Sequence, residues 1–532
     1  MRLNLLIILF FFATAYSAIP DSTDLPLISN ITKDGITWEF KQPVRAGQFV
    51  NGDYYIVGNA TITKITPAPE NGRNGSVLNP SLDAGISGFD DRVESNRFRE
   101  ELRVYPPIDI KPGDELISSI SIDSIGSITC WLRSSDIPPS PVKSVSILTC
   151  LKNTVAEDAF RPSYGDTTRK IYYASNLRRN LLPRLNKVGA EPDIADYAEH
   201  FRRPWLDVCY FFFDAAVEYQ PAYGRELGRA IGMAALLLSL DYSPEEKEPL
   251  LIGFVQYGID LWGMARNGYR GWPAIGGYGQ GRKLPIIIAG LLLGDNEMVS
   301  PTKTYPDLQF GEDMQTIYGT SWTGANVVYA GHQGVFKGQV VSTKEGWGPY
   351  EQLPPSEWVN NTGESYRRCC TSISWIGEAL AARIFGVMDD WDHPAFFDYC
   401  DRWMTENDSA FVRIIYETKG WDYNKDWARQ GQCWDKFVED MWVTYRNNAV
   451  PVQNLIKKSD IDRKKPGIKR IFTGLGSETV SLPAKYMNKD NSGMVRIYNV
   501  AGKNITTVPV AKFQKILSGK SLPAGLLFLD YR

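Results

Sequence analysis

The spacing of apolar residues divides the chain into three stretches after a short leader. Over residues 19–158, β-branched and apolar residues recur in short runs, "GITWEF", "DYYIVGNATITKITPA", "ELISSISI", "GSITCWL" and "VKSVSILTC", bounded by Gly, Pro, Asn and Asp. Such runs predict strands, and their succession predicts an antiparallel β-sandwich. After "FRPSYGD" the period becomes helical. "YGRELGRAIGMAALLLSL", "KEPLLIGFVQYGIDLWGMAR", "KLPIIIAGLLLG", "CTSISWIGEALAARIFG", "PAFFDYCDRWM" and "CWDKFVEDMWVTYR" carry apolar residues at i, i+3 and i+4, and "SPEEKEPL" supplies a start signal with early acids. With the shorter apolar segment "PWLDVCYFFFDAAVEY", they predict a many-helix domain over residues 159–450. Several helices are apolar nearly all round, as expected for helical hairpins ringed about a buried inner layer, an all-α (α/α) toroid. Residues 451–469, which hold most of "KKSDIDRKKPGIKR", read as a linker. The runs "SETVSLPAKY", "GMVRIYNVAGKNIT" and "LPAGLLFLDYR" then predict a small C-terminal β module over 470–532, so the fold class is multidomain.

The leader, "MRLNLLIILFFFATAYSA", has an early Arg, an apolar run from Leu5 to Phe12, and small residues at Ala15, Ser17 and Ala18. That is the layout of a signal peptide over residues 1–18, with cleavage near Ala18 and a secreted or cell-surface product. Neither this run nor "LPIIIAGLLLG" reaches the ~20 apolar residues of a membrane span.

Composition narrows the function. A net charge of −3 argues against a nucleic-acid partner, and three histidines are too few for a His-rich metal centre. Seven cysteines with no CxxC pair speak against structural zinc, and the odd number leaves a thiol over. Cys130 and Cys150 close two similarly worded strands, either as a disulfide or as two buried thiols. No metal and no cofactor is expected. The 15 Trp and 27 Tyr matter more, because aromatic faces stack on sugar rings as well as filling cores.

The aromatic residues gather in a segment with little periodicity, 295–366, where Trp322, Trp347, Trp358, Tyr318, Tyr329 and Tyr350 stand among Gly and acids. A long aperiodic insertion of this kind is a candidate binding surface. His332 lies in it, between Gly331 and Gly334, with Asn326 and Glu312 nearby in sequence. At its end, "NTGESYRRCC" puts Glu364, Tyr366, Arg367 and Arg368 at the mouth of an apolar helix. A second polar cluster, "ARNGYRGWPAIGGYGQGRK", offers Asn267, Tyr269, Arg270 and Arg282 in a Gly-rich loop that is not a P-loop.

An arginine, a tyrosine, a histidine and aromatic platforms fit β-elimination on a uronate polysaccharide. A cation or amide stabilises charge developing on the C6 carboxylate, while Tyr and His exchange protons with C5 and the leaving oxygen. On this basis His332, Tyr366, Arg367 and Glu364 are the catalytic candidates. Asn267, Tyr269, Arg270, Arg282, Glu312, Trp322, Asn326, Trp347, Tyr350 and Arg368 are the candidates for substrate binding.

This combination, a β-sandwich beside many helices with Tyr/His/Arg chemistry, resembles the secreted (α/α)-toroid polysaccharide lyases, such as alginate and glucuronan lyases. The resemblance implies a lyase fold and a uronate substrate. The "NNH" segment of several such families is absent, and Asn267 or Asn326 would stand in for it. Separately, "IYNVAGK" followed by "LPAGLLFL" resembles the C-terminal sorting domains of type 9 secretion, which implies the secretion machinery as a partner. Two other functions stay open. One is a glycoside hydrolase using a carboxylate pair drawn from Glu312, Asp313, Glu351, Glu357 and Glu364; the other is a non-catalytic glycan-binding or surface protein.

Overall fold

The computed structural model describes residues 19–447 apart from 81, 83–85, 94–96, 129, 133–139, 208–214 and 425–427, and beyond 447 the backbone of four short strands. The leader, and all but the last two residues of the expected linker, lie outside the described residues. The chain divides into two compact units, Met1–Gln453 and Asn454–Arg532.

In the first unit, eight strands form one sheet: β1 (Leu27–Lys33), β2 (Ile36–Gln48), β3 (Tyr54–Val57), β4 (Ala60–Thr66), β5 (Ser76–Leu78), β6 (Ile108–Ile110), β7 (Glu115–Ser121) and β8 (Val142–Leu151). Their order is β5-β7-β8-β3-β2-β4-β6, with β1 paired to β2. The long strand β2 explains the curl. Thr37–Phe40 pair with β4, whereas Arg45–Gln48 pair with β3, so the sheet divides along this strand into two arms. Both arms face one apolar core: Trp38, Ile62 and Ile108 from one, Ile56, Leu116 and Leu148 from the other. "DYYIVGNATITKITPA" makes two strands because Gly58, at φ +83°, turns the chain between β3 and β4.

One expectation for this region is corrected: the described residues of "GSITCWL" form turns rather than a strand. Of the two alternatives for Cys130 and Cys150, the structure has two buried thiols rather than a disulfide, and that of Cys150 donates to the Gly58 carbonyl at 3.1 Å.

The helical region follows in chain order with α1 (Ile194–Phe201), α2 (Gly224–Ser239), α3 (Pro244–Arg266) and α4 (Lys283–Leu293), then the single turns α5 (Pro301–Thr304), α6 (Gly311–Met314) and α7 (Thr362–Tyr366). It closes with α8 (Ser372–Phe385), the turn α9 (Met388–Trp391), α10 (Pro394–Thr405), α11 (Ser409–Lys419) and α12 (Lys436–Tyr445). The start signal of α3 works as written: Ser243 and Glu246 form a capping box around Pro244. The α2 and α8 backbones meet at glycines, since a Cβ on Gly232 would fall 3.0 Å from the Gly377 Cα. In "PWLDVCYFFFDAAVEY", the described residues 204–207 and 215–219 are not helical. The Gln220 side chain instead takes both backbone groups of Leu206, N–H and C=O, at 3.0 Å each, which supplies the partners a helix would have provided. Between α4 and α8 the aperiodic segment folds into two-stranded pieces, Thr316–Tyr318 with Val327–Tyr329 and Val335–Phe336 with Gln339–Val340.

In the second unit the strands Ile468–Arg470, Met494–Tyr498, Asn504–Pro509 and Phe528–Tyr531 form an antiparallel sheet in which the first pairs the last. The first of them begins inside the stretch expected to be linker.

Sheet and helices are joined through one buried cation. Arg161, fully buried, donates to Asp53 beside β3 at 2.8 Å and to Asp260 on α3 at 2.5 Å, with Glu115 of β7 at 3.9 Å. Burial pushes the Asp260 carboxyl up to about 7, and Arg161 opposes that rise. Arg161→Met leaves buried Asp53 and Asp260 without their cation, while Glu115 keeps Arg169 at 3.8 Å, so it should lower stability by ~3–5 kcal/mol in urea unfolding, with sheet and helices melting together.

Candidate active site

The site begins where α7 runs into α8. Tyr366 ends α7, and the chain passes through a π turn, Arg367–Thr371, before the regular helix resumes. An inserted residue of this type re-aims the side chains on either side of it, and such turns are frequent at functional sites. The Thr371 hydroxyl fills the disturbed ladder, donating to the Tyr366 and Arg367 carbonyls at 3.0 and 3.1 Å.

Beneath Tyr366 lies a closed ion network. Glu364 accepts from the Tyr350 hydroxyl at 2.5 Å, from Arg367 Nε and Nη2 at 2.9 and 2.8 Å, and from Arg368 Nε at 2.6 Å. Arg368 also reaches Asp408, and Glu351 holds Arg402 through both its oxygens at 2.9 and 3.0 Å. Burial alone would raise the Glu364 carboxyl. Arg367 and Arg368 reverse that and hold it well below the usual carboxylate range.

The roles expected for these residues therefore change. Arg367 is 3% exposed and Arg368 is fully buried, and both are paired with protein carboxylates rather than turned to a substrate, with Arg367 Nη1 alone lacking a hydrogen-bond partner among the described residues. Glu364 and Tyr350 are equally enclosed. These four residues build the floor of the site.

On that floor stands His332. Its ring meets Tyr366 edge to face at 4.3 Å between centroids and packs against Trp347 at 4.0 Å. Gly331 and Gly334, at φ +89° and +66°, carry the chain around it. The Gly-rich loop closes the other side: Gly276 N–H donates to the His332 carbonyl at 2.9 Å, and Gln315 Nε2 bonds both the Gly276 and His332 carbonyls at 2.9 and 3.1 Å. A Cβ on Gly276 would fall 2.2 Å from Tyr366 Cε1, so only glycine permits this approach. Tyr223 supports the loop from behind, its hydroxyl accepting from Gly277 N–H at 2.9 Å.

His332 is 3% exposed, and its Nδ1 has no hydrogen-bond partner among the described residues. Burial, then the charge of Lys344, lowers its pKa to about 4, so the ring is neutral at ordinary pH. The Lys344 ammonium sits 3.8 Å above the Trp347 ring and is itself exposed. A neutral imidazole, a phenol and an exposed cation on one aromatic wall can together move protons beside a bound anion.

Other expected site residues have other neighbours. Arg282 is buried against Asp207 at 2.7 Å and bonds the Tyr278 and Gln280 carbonyls, while Glu312 accepts from Gly281 N–H at 2.6 Å. Both hold the Gly-rich loop from within. Tyr269 packs on Trp272, and Arg270 and Asn267 are exposed past the end of α3, where Asn267 accepts from Thr167. Trp322 lies half-buried on Trp358 and Phe411, and Asn326 is exposed with its carbonyl bonded to Gly319 N–H. Of the expected set, then, the structure brings together His332, Tyr366 and Trp347. Lys344, Tyr223 and Gly276 join them unanticipated; the only signal for Lys344 was its place three residues before Trp347 in "KEGWG".

Because the folded-state pKa of Glu364 lies below its unfolded value, its contribution to stability is complete above that value and fades as pH falls. Glu364→Gln should therefore cost ~3–5 kcal/mol in urea unfolding at neutral pH. The gap from the native protein should narrow as pH drops below ~4, where the unfolded carboxyl protonates.

No family model, curated protein or solved structure matches this chain.

Proposed function

We propose that the protein is a secreted polysaccharide lyase that cleaves a uronate-containing chain by β-elimination at His332 and Tyr366. The observation that carries this proposal is the pairing of a buried, neutral imidazole with a phenol on an aromatic wall that also holds an exposed ammonium. In this mechanism Lys344 takes the carboxylate-binding role first expected of Arg367 or Arg368, and Trp347 stacks on a sugar ring. His332 takes the C5 proton, the C4–O bond breaks as the C4=C5 double bond forms, and the Tyr366 hydroxyl gives its proton to the departing oxygen. The curled sheet would stand for the β-sandwich of such enzymes and the helices for their (α/α) toroid, with residues 470–532 serving as a sorting module for export.

The buried carboxylates support elimination over hydrolysis. Glu351 and Glu364 are bound to guanidiniums, and Glu312, which burial pushes up to about 7, is fully enclosed with one oxygen taken by Gly281 N–H.

A screen of acidic and neutral glycans, read by reducing ends and by ultraviolet absorbance of an unsaturated product, tests the reaction class. Absorbance with new reducing ends is expected on a uronate chain. Reducing ends without absorbance would mean hydrolysis, and neither signal would mean a non-catalytic binder.

On the confirmed substrate, Tyr366→Phe should lower kcat by ~10²–10⁴ with folding intact. Lys344→Met should lower kcat/KM by ~10². A base with its pKa near 4 must be unprotonated to act, so kcat/KM should fall only as pH drops through about 4, with no step near 6.5. In Lys344→Met that acid limb should move to higher pH, because the cation that disfavours the imidazolium is gone.

A further inference from the structure

Cys369 and Cys370, adjacent in sequence, are joined by a disulfide within the π turn that follows Tyr366. We propose that this pair is a redox site that exchanges with small dithiols, and that its oxidation state sets the placement of Tyr366 against His332.

The surroundings of the two sulfurs are unequal in the way thiol exchange requires. Cys369 is partly exposed, while Cys370 is only 6% exposed. The buried guanidinium of Arg225 donates to the Cys369 carbonyl at 3.1 Å and lies 3.6 Å from Cys370 Sγ. An incoming thiolate reaches Cys369, and the sulfur it expels is the one beside the Arg225 guanidinium, whose Nε pairs with Glu226 at 2.8 Å while its Nη1 faces the sulfur. A cation at the leaving thiolate lowers its pKa and speeds its departure.

The step balances with a dithiol as reductant. Its first thiolate attacks Cys369 Sγ, the Cys369–Cys370 bond breaks, and Cys370 leaves as a thiolate held by Arg225. The second thiol then attacks the mixed disulfide and releases Cys369, so the protein gains two electrons and two protons while the dithiol becomes a cyclic disulfide.

The link to the site runs through the backbone of the pair. The Cys370 carbonyl accepts from Gln280 Nε2 at 3.0 Å, and a Cβ on Gly277 would lie 2.4 Å from the same oxygen. The loop resting on Cys370 is thus the loop whose Gly276 touches Tyr366 and His332. Opening the sulfur ring frees the π turn to rewind, and with it the residue at its start.

The exchange itself does not rest on the lyase proposal; only its effect on turnover does. The full-length protein, oxidised and then treated with graded dithiothreitol, would be alkylated and mapped by mass spectrometry. Alkylation of both Cys369 and Cys370 is expected only after reduction, with helical circular dichroism retained. Arg225→Met should slow the reduction by ~10-fold; should that variant not fold, Arg225→Lys, which keeps the charge without the fork, should reduce more slowly than the native protein.

The effect on the site can be read without a substrate, because the chain has three histidines and the His332 ring lies against the Tyr366 and Trp347 rings. The His332 proton resonances should shift on reduction. Cys369 or Cys370 already alkylated before reductant is added, or equal reduction rates with and without Arg225, would overturn the redox site. Unmoved His332 resonances in fully reduced, folded protein would overturn its control of Tyr366.

Discussion

A single carboxylate organises the candidate site. Glu364 receives four hydrogen bonds from three side chains, and two of them, Arg367 and Arg368, lie on the same turn of chain as Tyr366. Removing a carboxylate and two guanidiniums from water is unfavourable by itself, and only near-complete satisfaction of their donors and acceptors makes such a cluster tolerable. Through these bonds the start of α8, the loop carrying Tyr350 and the α10–α11 junction at Asp408 are tied to one another. Elsewhere in the helical region the opposite solution is found. Among the described residues no guanidinium is bonded to Glu378; burial, then the nearby Glu312, lifts its carboxyl well above the usual range, which favours the neutral acid.

Much of the helical region could be read from the sequence because period and punctuation agreed. The α3 start announced itself through Ser243, Pro244 and Glu246, and the α4 and α8 ends through Gly294 and Gly386, both in the left-handed region. β1 was missed because "LISNITK" shows almost no alternation, and in the structure only Ile31 of it is buried. The curl of the sheet was not legible either, since nothing in "ITWEFKQPVRAGQ" says that one strand will have different neighbours along its two halves.

The candidate site was legible by residue type and not by role. Glycines flanking His332 and a tyrosine at the mouth of a buried helix marked two residues whose rings the fold brings together. The arginines were misassigned although a signal was present: Arg367 and Arg368 stand three and four residues after Glu364, the spacing of pairs within a helix. A sequence does not show burial, and burial decides whether a guanidinium fork faces a ligand or its own helix.

The one parallel pairing in the sheet has a consequence for how the chain reaches this state. β3 and β8 align Tyr54–Val57 with Leu148–Leu151, so the middle of the sheet closes only across a long sequence separation. Contacts of this kind carry loop-closure entropy before they return any burial, and they form late. Until residue 151 is available, the side of β3 that will pair β8 is an open apolar edge, the kind of surface on which unfinished chains associate. The nascent protein is therefore most vulnerable between completing its first hairpins and acquiring β8, and a holding factor that covers strand edges would act in that interval.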